Sequence, residues 1–284
     1  MSRNNLDRTG APPADAPIQQ QAEQTKFDPL NFAAPTEIVD LPSKGMGYPA
    51  NHPLHNKDTI EIRYMTAKDE DILTSQSLIK KGLVLKRFME NIIIDKRVDP
   101  ESLFVGDRNA ILIASRISGY GAEYETRVQC PACGESSRFA FDLLDQKVHE
   151  SEAAEQFNVT VAGDGLFETI MPYSKFKIKF RLMTGKDETW LAKQQQSKKK
   201  HKLQESVMTD QMKKIIVSIE GHNDPSIINK YVDNMPTLDS THIRTCYKLA
   251  NPDVKVTNEY TCPSCGHEEG MEVPFGADFF WPER

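Results

Sequence analysis

The sequence lacks the features that mark membrane, secreted and nucleic-acid-binding proteins. No stretch approaches the roughly 18 uninterrupted apolar residues of a membrane-spanning helix, and the first ten residues contain no apolar segment typical of a secretory signal. We therefore expect a cytoplasmic location. Basic residues are not in excess, since 35 Lys and Arg stand against 41 Asp and Glu. Because affinity for nucleic acid depends largely on neutralising phosphates, we do not expect a nucleic-acid partner.

Signatures of common enzyme classes are also missing. The sequence contains no P-loop, no GxGxxG and no HExxH pattern. Six histidines show no paired spacing: His52, His55, His149, His201, His222 and His242. The acidic pair Asp69-Glu70 suggests helix capping more than acid–base catalysis, since a carboxylate near a helix N-terminus is stabilising. We predict that the protein is not an enzyme.

Cysteine is scarce and unevenly placed. The five cysteines are an odd number, which in a reducing compartment argues against a disulfide framework. Four of them form two CPxCG motifs, Cys130–Gly134 and Cys262–Gly266, each between segments that alternate like β-strands. This is the arrangement of a zinc knuckle, in which both sulfurs face one ion and the glycine lets the backbone turn. The fifth, Cys246, lies in a helical segment and is predicted to be a small buried residue.

The two knuckles together supply Cys130, Cys133, Cys262 and Cys265, a set that matches the tetrahedral coordination of zinc. We predict one shared structural zinc ion, because four thiolates leave no open position for catalysis. Reduced cysteines that have lost their metal, His267 as a substitute ligand, and iron in place of zinc remain alternatives. A metallo-enzyme would require one cysteine to leave the metal. A CxxC redox pair is disfavoured, since neither motif has a thioredoxin-like βαβ context.

The sequence also repeats itself. Aligning residues 60–73 with residues 178–191 gives eight identities in fourteen positions, where about one is expected by chance. Further along, VQCPACG at 128–134 aligns with YTCPSCG at 260–266. These matches predict an internal duplication that contains both knuckles.

Each copy has the pattern strand, helices, strand, knuckle, strand. Thr66 and Thr184 are predicted helix N-caps, answered three residues later by Asp69 and Asp187. Apolar residues at helical spacing predict core-facing helices in both copies: Leu85, Phe88, Met89, Ile92 and Ile93, then Met212, Ile215, Ile216 and Ile219. The predicted fold class is α+β, with two tandem diverged modules related by a pseudo-twofold axis.

Composition sets the boundaries of the predicted parts. Residues 1–55 hold an arm rich in proline and glutamine, predicted to be disordered, followed by the segment LPSKG. The first module is predicted over residues 56–150 and the second over 176–284. Residues 151–175 form the connection, which the sequence Gly-Asp-Gly predicts to be a hairpin.

Several of these motifs resemble one family of phage proteins. They are LPSKG followed by Tyr48-Pro49, the Met-Thr-x-Lys-Asp-Glu helix start, and the sequence GDRNA at 106–110 before the first knuckle. The combination resembles the baseplate proteins of T-even-like contractile-tailed phages, often described as hub assembly proteins or hub assembly chaperones. The resemblance covers residues 38–284 and is most specific at GDRNA and CPxCG.

The resemblance implies a non-enzymatic protein that helps to build the baseplate hub, as an assembly chaperone or as a permanent component. Its partners would be phage hub and tail proteins. It would be found in the host cytoplasm during assembly and, if retained, in the virion tail baseplate. A zinc-ribbon nucleic-acid-binding protein is the alternative, which the net charge of −6 and the acidic residues beside the second knuckle disfavour.

The predicted partner-binding surface follows from what the two copies do not share. The second copy reads Leu238–Thr241 where GDRNA would lie, and loops on a rigid scaffold often carry function. We therefore predict partner contacts by Leu41, Pro42, Ser43, Lys44, Gly45, Asp107, Arg108 and Asn109. The arm contains the apolar residues Phe27, Leu30 and Phe32. They could anchor the arm to a partner, or the arm could be an inert tail.

Overall fold

Eight α-helices and eleven β-strands make up the part of the chain that the computed structural model describes, residues 33–149, 157, 159–163, 165–204, 206–273 and 277–280. The chain divides into two units, Met1–Ala33 and Ala34–Arg284, and all of these elements lie in the second. Residues 1–32, with most of the predicted arm, lie outside the described residues. The mixed helix and strand content agrees with the predicted fold class.

The first half of the chain runs from a hairpin through four helices to three more strands. Its elements are β1 (Thr36–Asp40), β2 (Thr59–Arg63), α1 (Ala67–Thr74), α2 (Gln76–Lys81), α3 (Val84–Ile92), α4 (Val105–Tyr120), β3 (Glu123–Gln129), β4 (Ser136–Asp142) and β5 (Gln146–His149). A short 3-10 helix at Pro100–Ser102 precedes α4. The tight turn before α3 is made by Gly82, whose φ of 66° favours glycine.

The second half follows a similar order. Its elements are β6 (Thr160–Ala162), β7 (Leu166–Ile170), β8 (Lys177–Arg181), α5 (Gly185–Lys200), α6 (Val207–Ile215), β9 (Ile216–Ile219), α7 (Pro225–Asp233), α8 (Thr237–Ala250), β10 (Asp253–Thr261) and β11 (Glu268–Glu272). The hairpin predicted around Gly163 is present, because β6 pairs antiparallel with β7. None of the helices in the described ranges is long and apolar enough to cross a membrane.

The strands form four antiparallel sheets. β1 pairs with β2, and β3 with β4. The largest sheet has the order β6-β7-β8-β9. The last has the order β11-β10-β5, so a strand of the first half joins a hairpin of the second.

One local structure occurs at the start of both α1 and α5. The Thr66 amide and hydroxyl donate to the Asp69 carboxylate at 2.9 and 2.8 Å, and Arg63 reaches the same carboxylate at 2.6 and 2.9 Å. In the second half Thr184 donates to Asp187 twice at 3.0 Å, and Arg181 reaches it at 2.7 and 2.8 Å. Thr66 and Thr184 are the N-cap residues, as predicted.

The buried apolar residues of both halves belong to one core, which includes the predicted Phe88, Met89, Ile92, Met212 and Ile215. The chain returns to the first half at its C-terminal end. There the rings of Phe280 and Phe88 lie 5.0 Å apart, and those of Phe279 and Tyr124 lie 5.1 Å apart. The two halves therefore cannot bury their apolar residues independently.

The carboxylate of Asp69 is fully buried at the start of α1. Burial alone would raise its pKa, but hydrogen bonds from Arg63 and Thr66 outweigh that effect and hold the pKa below 3.8. Replacing a hydrogen-bonded charged group of this kind costs about 1.5–3 kcal/mol. We expect Asp69→Asn to lower the free energy of unfolding by this amount at pH 7, measured by denaturant titration.

The sign of the pH dependence follows from the lowered pKa. The stabilisation is complete above the unfolded-state pKa of about 3.9 and is lost as pH falls through the lower folded-state pKa. The difference between wild type and Asp69→Asn should therefore shrink below about pH 4. Asp71→Asn is the matched control, because Asp71 is exposed on the same helix. Equal losses in the two variants would contradict the prediction.

Candidate metal centre

Both CPxCG motifs form the turn of a β-hairpin, and the two turns have the same geometry. In the first, Gln129 lies opposite Ser136 and the Gly134 amide donates to the Cys130 carbonyl at 2.9 Å. In the second, Thr261 lies opposite Glu268 and the Gly266 amide donates to the Cys262 carbonyl at 2.9 Å. The glycines have φ values of 74° and 71°, which favour glycine over other residues.

The two turns bring the four predicted metal ligands together. Cys130 Sγ lies 3.8 Å from Cys265 Sγ, and Cys133 Sγ lies 3.7 Å from Cys262 Sγ. All four sulfurs lie within 4.8 Å of one another. Sulfurs at about 2.3 Å from a tetrahedral zinc ion would be about 3.8 Å apart, whereas a disulfide would require about 2.05 Å. The cluster is therefore close enough to hold one metal ion.

Backbone amides prepare one of the sulfurs for a charged state. Hydrogen bonds from the Cys265 and Ser264 amides, with the first the stronger, lower the pKa of the Cys262 thiol to about 6. The Glu135 amide also acts to lower the pKa of Cys133, but the neighbouring cysteines Cys265, Cys130 and Cys262 raise it to about 12. Four adjacent thiolates repel one another, so full ionisation requires a cation among them.

Contacts between the two hairpins hold the sulfurs in place. The Tyr260 hydroxyl lies 2.8 Å from the Ser137 hydroxyl, and the Phe139 ring packs edge-on against Tyr260 at 5.3 Å. The alternative ligand His267 instead has its Nε2 3.4 Å from a Glu269 carboxylate oxygen. Cys246 is fully buried in α8, as predicted for a small residue in a helical segment.

The sequence GDRNA lies at the start of α4, where it joins the two halves. A Cβ atom on Gly106 would lie 2.1 Å from the Pro252 carbonyl oxygen, so only glycine fits this approach. Arg108 Nη1 lies 2.5 Å from Glu188 in α5, and the Asn109 amide donates to Asp253 at 3.1 Å. GDRNA is therefore packed against the helix start and the knuckle strand of the second half.

Asp107, in contrast, holds the LPSKG segment. Its carboxylate is fully buried and accepts from the Ser43 amide at 3.0 Å, the Ser43 hydroxyl at 2.6 Å and the Tyr48 hydroxyl at 2.7 Å. Burial raises the pKa of Asp107, and these hydrogen bonds oppose the rise. Burial, followed by the charge of Asp107, raises the pKa of Tyr48 well above 10.0, so that Tyr48 remains a donor. The Tyr48 ring also stacks on Phe104 at 4.1 Å.

These contacts give the predicted partner-binding residues places inside the fold. Leu41, Pro42, Ser43, Gly45 and Asp107 are buried, Arg108 and Asn109 are partly buried, and Lys44 is exposed. Partner contact by these residues stays a prediction. The sequence pattern did not predict that Asp107, Arg108 and Asn109 would bond to Tyr48, Glu188 and Asp253. Only Tyr48 could have been suggested, because it lies close to LPSKG in the sequence.

The second half has an aspartate at the position of Asp107. Asp239 is the third residue of α8, as Asp107 is of α4, and it is also fully buried. It accepts from the amides of Tyr173 at 2.8 Å and Ser174 at 3.1 Å. We expected no counterpart of GDRNA in the second half. The buried Asp239 is in fact at the same helix position as Asp107, whereas Arg108 and Asn109 are not matched there.

One histidine and one serine lie close enough to suggest nucleophilic catalysis. His52 Nε2 is 2.8 Å from the Ser102 hydroxyl. However, His52 Nδ1 accepts from the Leu54 amide, and the Ser102 hydroxyl donates to the Asp99 carbonyl. No carboxylate of the described residues is hydrogen-bonded to the imidazole, so this pair lacks the arrangement of a catalytic triad there.

Comparison with known proteins identifies the family. The family model described as T4 bacteriophage base plate protein matches residues 35–281, which include both hairpins of the cysteine cluster and the whole joint between the halves. No curated protein and no solved structure matches the chain. The match extends over most of the chain, so the protein belongs to the family of T4 bacteriophage base plate proteins.

Proposed function

We propose that the protein acts without enzymatic activity in assembly of the baseplate hub, as an assembly chaperone or as a permanent hub component. The observation that carries this proposal is the family match over residues 35–281. Further support comes from the cysteine cluster, in which four ligands would leave a bound metal no open position. The surface of the second knuckle carries Glu268, Glu269 and Glu272, which disfavours the nucleic-acid alternative.

The metal of the cysteine cluster is proposed to be one structural zinc ion. Cys130 and Cys133 would hold it from the first half, and Cys262 and Cys265 from the second. Zinc suits an all-thiolate tetrahedral site and would neutralise part of the charge of the four sulfurs. The ion would then link two hairpins that come from distant parts of the chain.

The two halves are proposed to be diverged copies related by a pseudo-twofold axis. The hairpin β1–β2 places Thr36 opposite Arg63, and β7–β8 places Leu166 opposite Arg181, so each ends at the arginine that binds a capping aspartate. The connection of each hairpin contains a lysine with positive φ, Lys44 at 49° and Lys175 at 61°, and that of the first also contains Asn56 at 54°.

The later elements agree with this proposal. Both α3 and α6 have nine residues and end at an isoleucine with extended backbone. Ile62 of the first half bridges to Ile93, as Phe180 of the second half pairs with Ile216. One difference between the copies is the connection between the two hairpin strands, residues 41–58 in the first copy and residues 171–176 in the second.

Partner contact is proposed for Arg108, in addition to its internal ion pair. Its side chain lines a cleft of about 210 Å³ with apolar walls that include Val84, Leu85 and Met89. Its Nε has no hydrogen-bond partner among the described residues. Because Nε is buried, a partner carboxylate approaching through this cleft would bind the terminal nitrogens of the planar guanidinium. Lys44 is the exposed member of LPSKG and belongs to the same proposed surface.

The zinc proposal predicts one zinc ion per chain by elemental analysis. Structural zinc contributes on the order of 10–16 kcal/mol in small peptides, comparable to the roughly 5–15 kcal/mol of a whole domain. Cys133→Ser and Cys265→Ser should therefore lose the metal and loosen both halves together, seen as faster amide exchange in α4 and α8. Cys246→Ser should keep the metal, because Cys246 lies outside the cluster. Two ions per chain, iron in place of zinc, or none would contradict the proposal.

The function proposal predicts that the tagged chain recovers other tail proteins from infected cells. Mass spectrometry of finished particles and of cytosol then separates a permanent component from a chaperone. Recovery of no tail protein and absence from particles would contradict a hub function. A deletion that tests the arm should end at residue 32, since residues 41–48 include buried parts of the fold.

The Arg108 proposal predicts that Arg108→Ala weakens capture by about 2 kcal/mol, roughly 30-fold in affinity, while zinc content stays unchanged. Glu188→Ala is the matched control, because it breaks the same ion pair and leaves the arginine in place. Equal losses of capture in both variants would mean that only the internal ion pair matters.

A further inference from the structure

The outer edge of β1 presents regularly spaced backbone groups away from β2. The Tyr64 amide donates to the Pro35 carbonyl at 2.8 Å, and the register from there to Asp40 has no bulge. Since hydrogen bonding alternates along an antiparallel pair, Thr36, Ile38 and Asp40 direct their N–H and C=O groups to the other side. The edge thus offers three donors and three acceptors.

Nothing in the described part of the chain pairs with this edge. The side chain of Ile38, at its centre, is 73% exposed. Edge strands are usually protected by short length, charged side chains, a proline, a bulge or a covering segment. β1 is short, carries Glu37 and Asp40 and follows Pro35, but it has no bulge and no covering segment among the described residues, and its central Ile38 stays exposed.

The second half shows how such an edge is covered. There β7 pairs with β8 on one side and with β6 on the other. β6 places Thr160 opposite Glu168 and Ala162 opposite Leu166. Among the residues that the structure describes, the corresponding sheet of the first half has β1 and β2 but no strand at the position of β6.

The registers of the hairpins β1–β2 and β7–β8 show which residues of β1 correspond to the residues of β7 that pair with β6. Thr36 and Leu166 each lie opposite the arginine that binds a capping aspartate, so these two positions correspond. Two residues further on, Ile38 corresponds to Glu168, which pairs with Thr160 of β6. Ile38 is therefore apolar and exposed, whereas Glu168 at the corresponding position is charged and already paired with β6.

The chain cannot cover β1 with the tight turn that it uses for β7. That turn depends on Gly165, which has a φ of 72° and whose added Cβ would lie 2.0 Å from the Gly47 carbonyl oxygen. The corresponding residue before β1 is Pro35, and the proline ring restricts φ to about −65°. A strand on β1 must therefore arrive by a different route.

We propose that β1 binds an extended segment of another baseplate protein as an added antiparallel strand opposite Thr36–Asp40. This proposal rests on the proposed hub function. The segment should have an apolar residue beside Ile38, because cross-strand apolar contacts stabilise such pairs. A basic residue should flank it, since the exposed Asp40 lies on the same face of β1 as Ile38.

The test compares two substitutions at Ile38 in the full chain. Ile38→Pro removes one outward N–H group that β2 does not use, and Ile38→Thr keeps that group on a similar β-branched residue. Both variants must first show wild-type zinc content and denaturant unfolding. We expect capture of tail proteins, quantified by mass spectrometry, to fall at least tenfold for Ile38→Pro and less than threefold for Ile38→Thr.

Amide exchange on the isolated protein identifies the occupant. We expect the Ile38 amide to exchange rapidly in both the full chain and a chain lacking residues 1–32, and to become protected when the captured tail proteins are present. Protection in the free full chain that disappears on deletion would show that residues 1–32 cover the edge, and would overturn the proposal.

The remaining outcomes separate this inference from the function proposal. If the wild-type chain captures tail proteins and Ile38→Pro captures them equally, the strand proposal fails while the hub function stands. If capture occurs without protection of the Ile38 amide, the partner binds elsewhere and the proposal also fails. If the wild-type chain neither captures tail proteins nor occurs in particles, both proposals fail.

Discussion

Four buried carboxylates at equivalent helix positions fix the layout of this protein. Each is the third residue of its helix: Asp69, Asp107, Asp187 and Asp239. A buried carboxylate is strongly unfavourable unless it is hydrogen-bonded, so each one must bind the segment that lies beside its helix start. Asp69 and Asp187 bind the strand just before the helix, whereas Asp107 and Asp239 bind the turn of a hairpin more than 60 residues earlier. These bonds set the positions of α1, α4, α5 and α8 relative to the strands and hairpin turns that they contact.

The position of the cysteine cluster depends on this arrangement. α4 and α8 lead directly into β3 and β10, the strands that carry Cys130 and Cys262 at their ends. The start of α4 is held by Asp107 and also contacts the start of β10, through Gly106 at Pro252 and Asn109 at Asp253. A shift of either long helix would therefore change the separation of the sulfurs. The contacts of GDRNA and the cysteine cluster therefore lie at opposite ends of the segment formed by α4 and β3.

The sequence predicted those features that are set by local pattern. The Thr–Asp caps, the CPxCG turns and the apolar faces of α3 and α6 each involve residues close in sequence, so their spacing is informative. The bonds from Asp107 to Ser43 and Tyr48 span more than 50 residues and have no such spacing. Asp239 was overlooked as the counterpart of Asp107 because the neighbouring residues differ. The pairing of β7 with β8 was not predicted, because residues 151–175 were assigned to a separate connecting hairpin.

The burial of the joint limits how a partner can use it. Exposing the Asp107 carboxylate would break three hydrogen bonds and separate the stacked rings of Tyr48 and Phe104, and breaking a buried charged network costs about 3–5 kcal/mol. A partner would have to exceed this cost before gaining any affinity, whereas groups already at the surface require no such rearrangement. Lys44 and the outer edge of β1 satisfy that condition, whereas Arg108 is partly buried and reachable only through the cleft that it lines. Recognition should therefore proceed by docking onto a preformed surface, with the Asp107 network serving to hold that surface rigid.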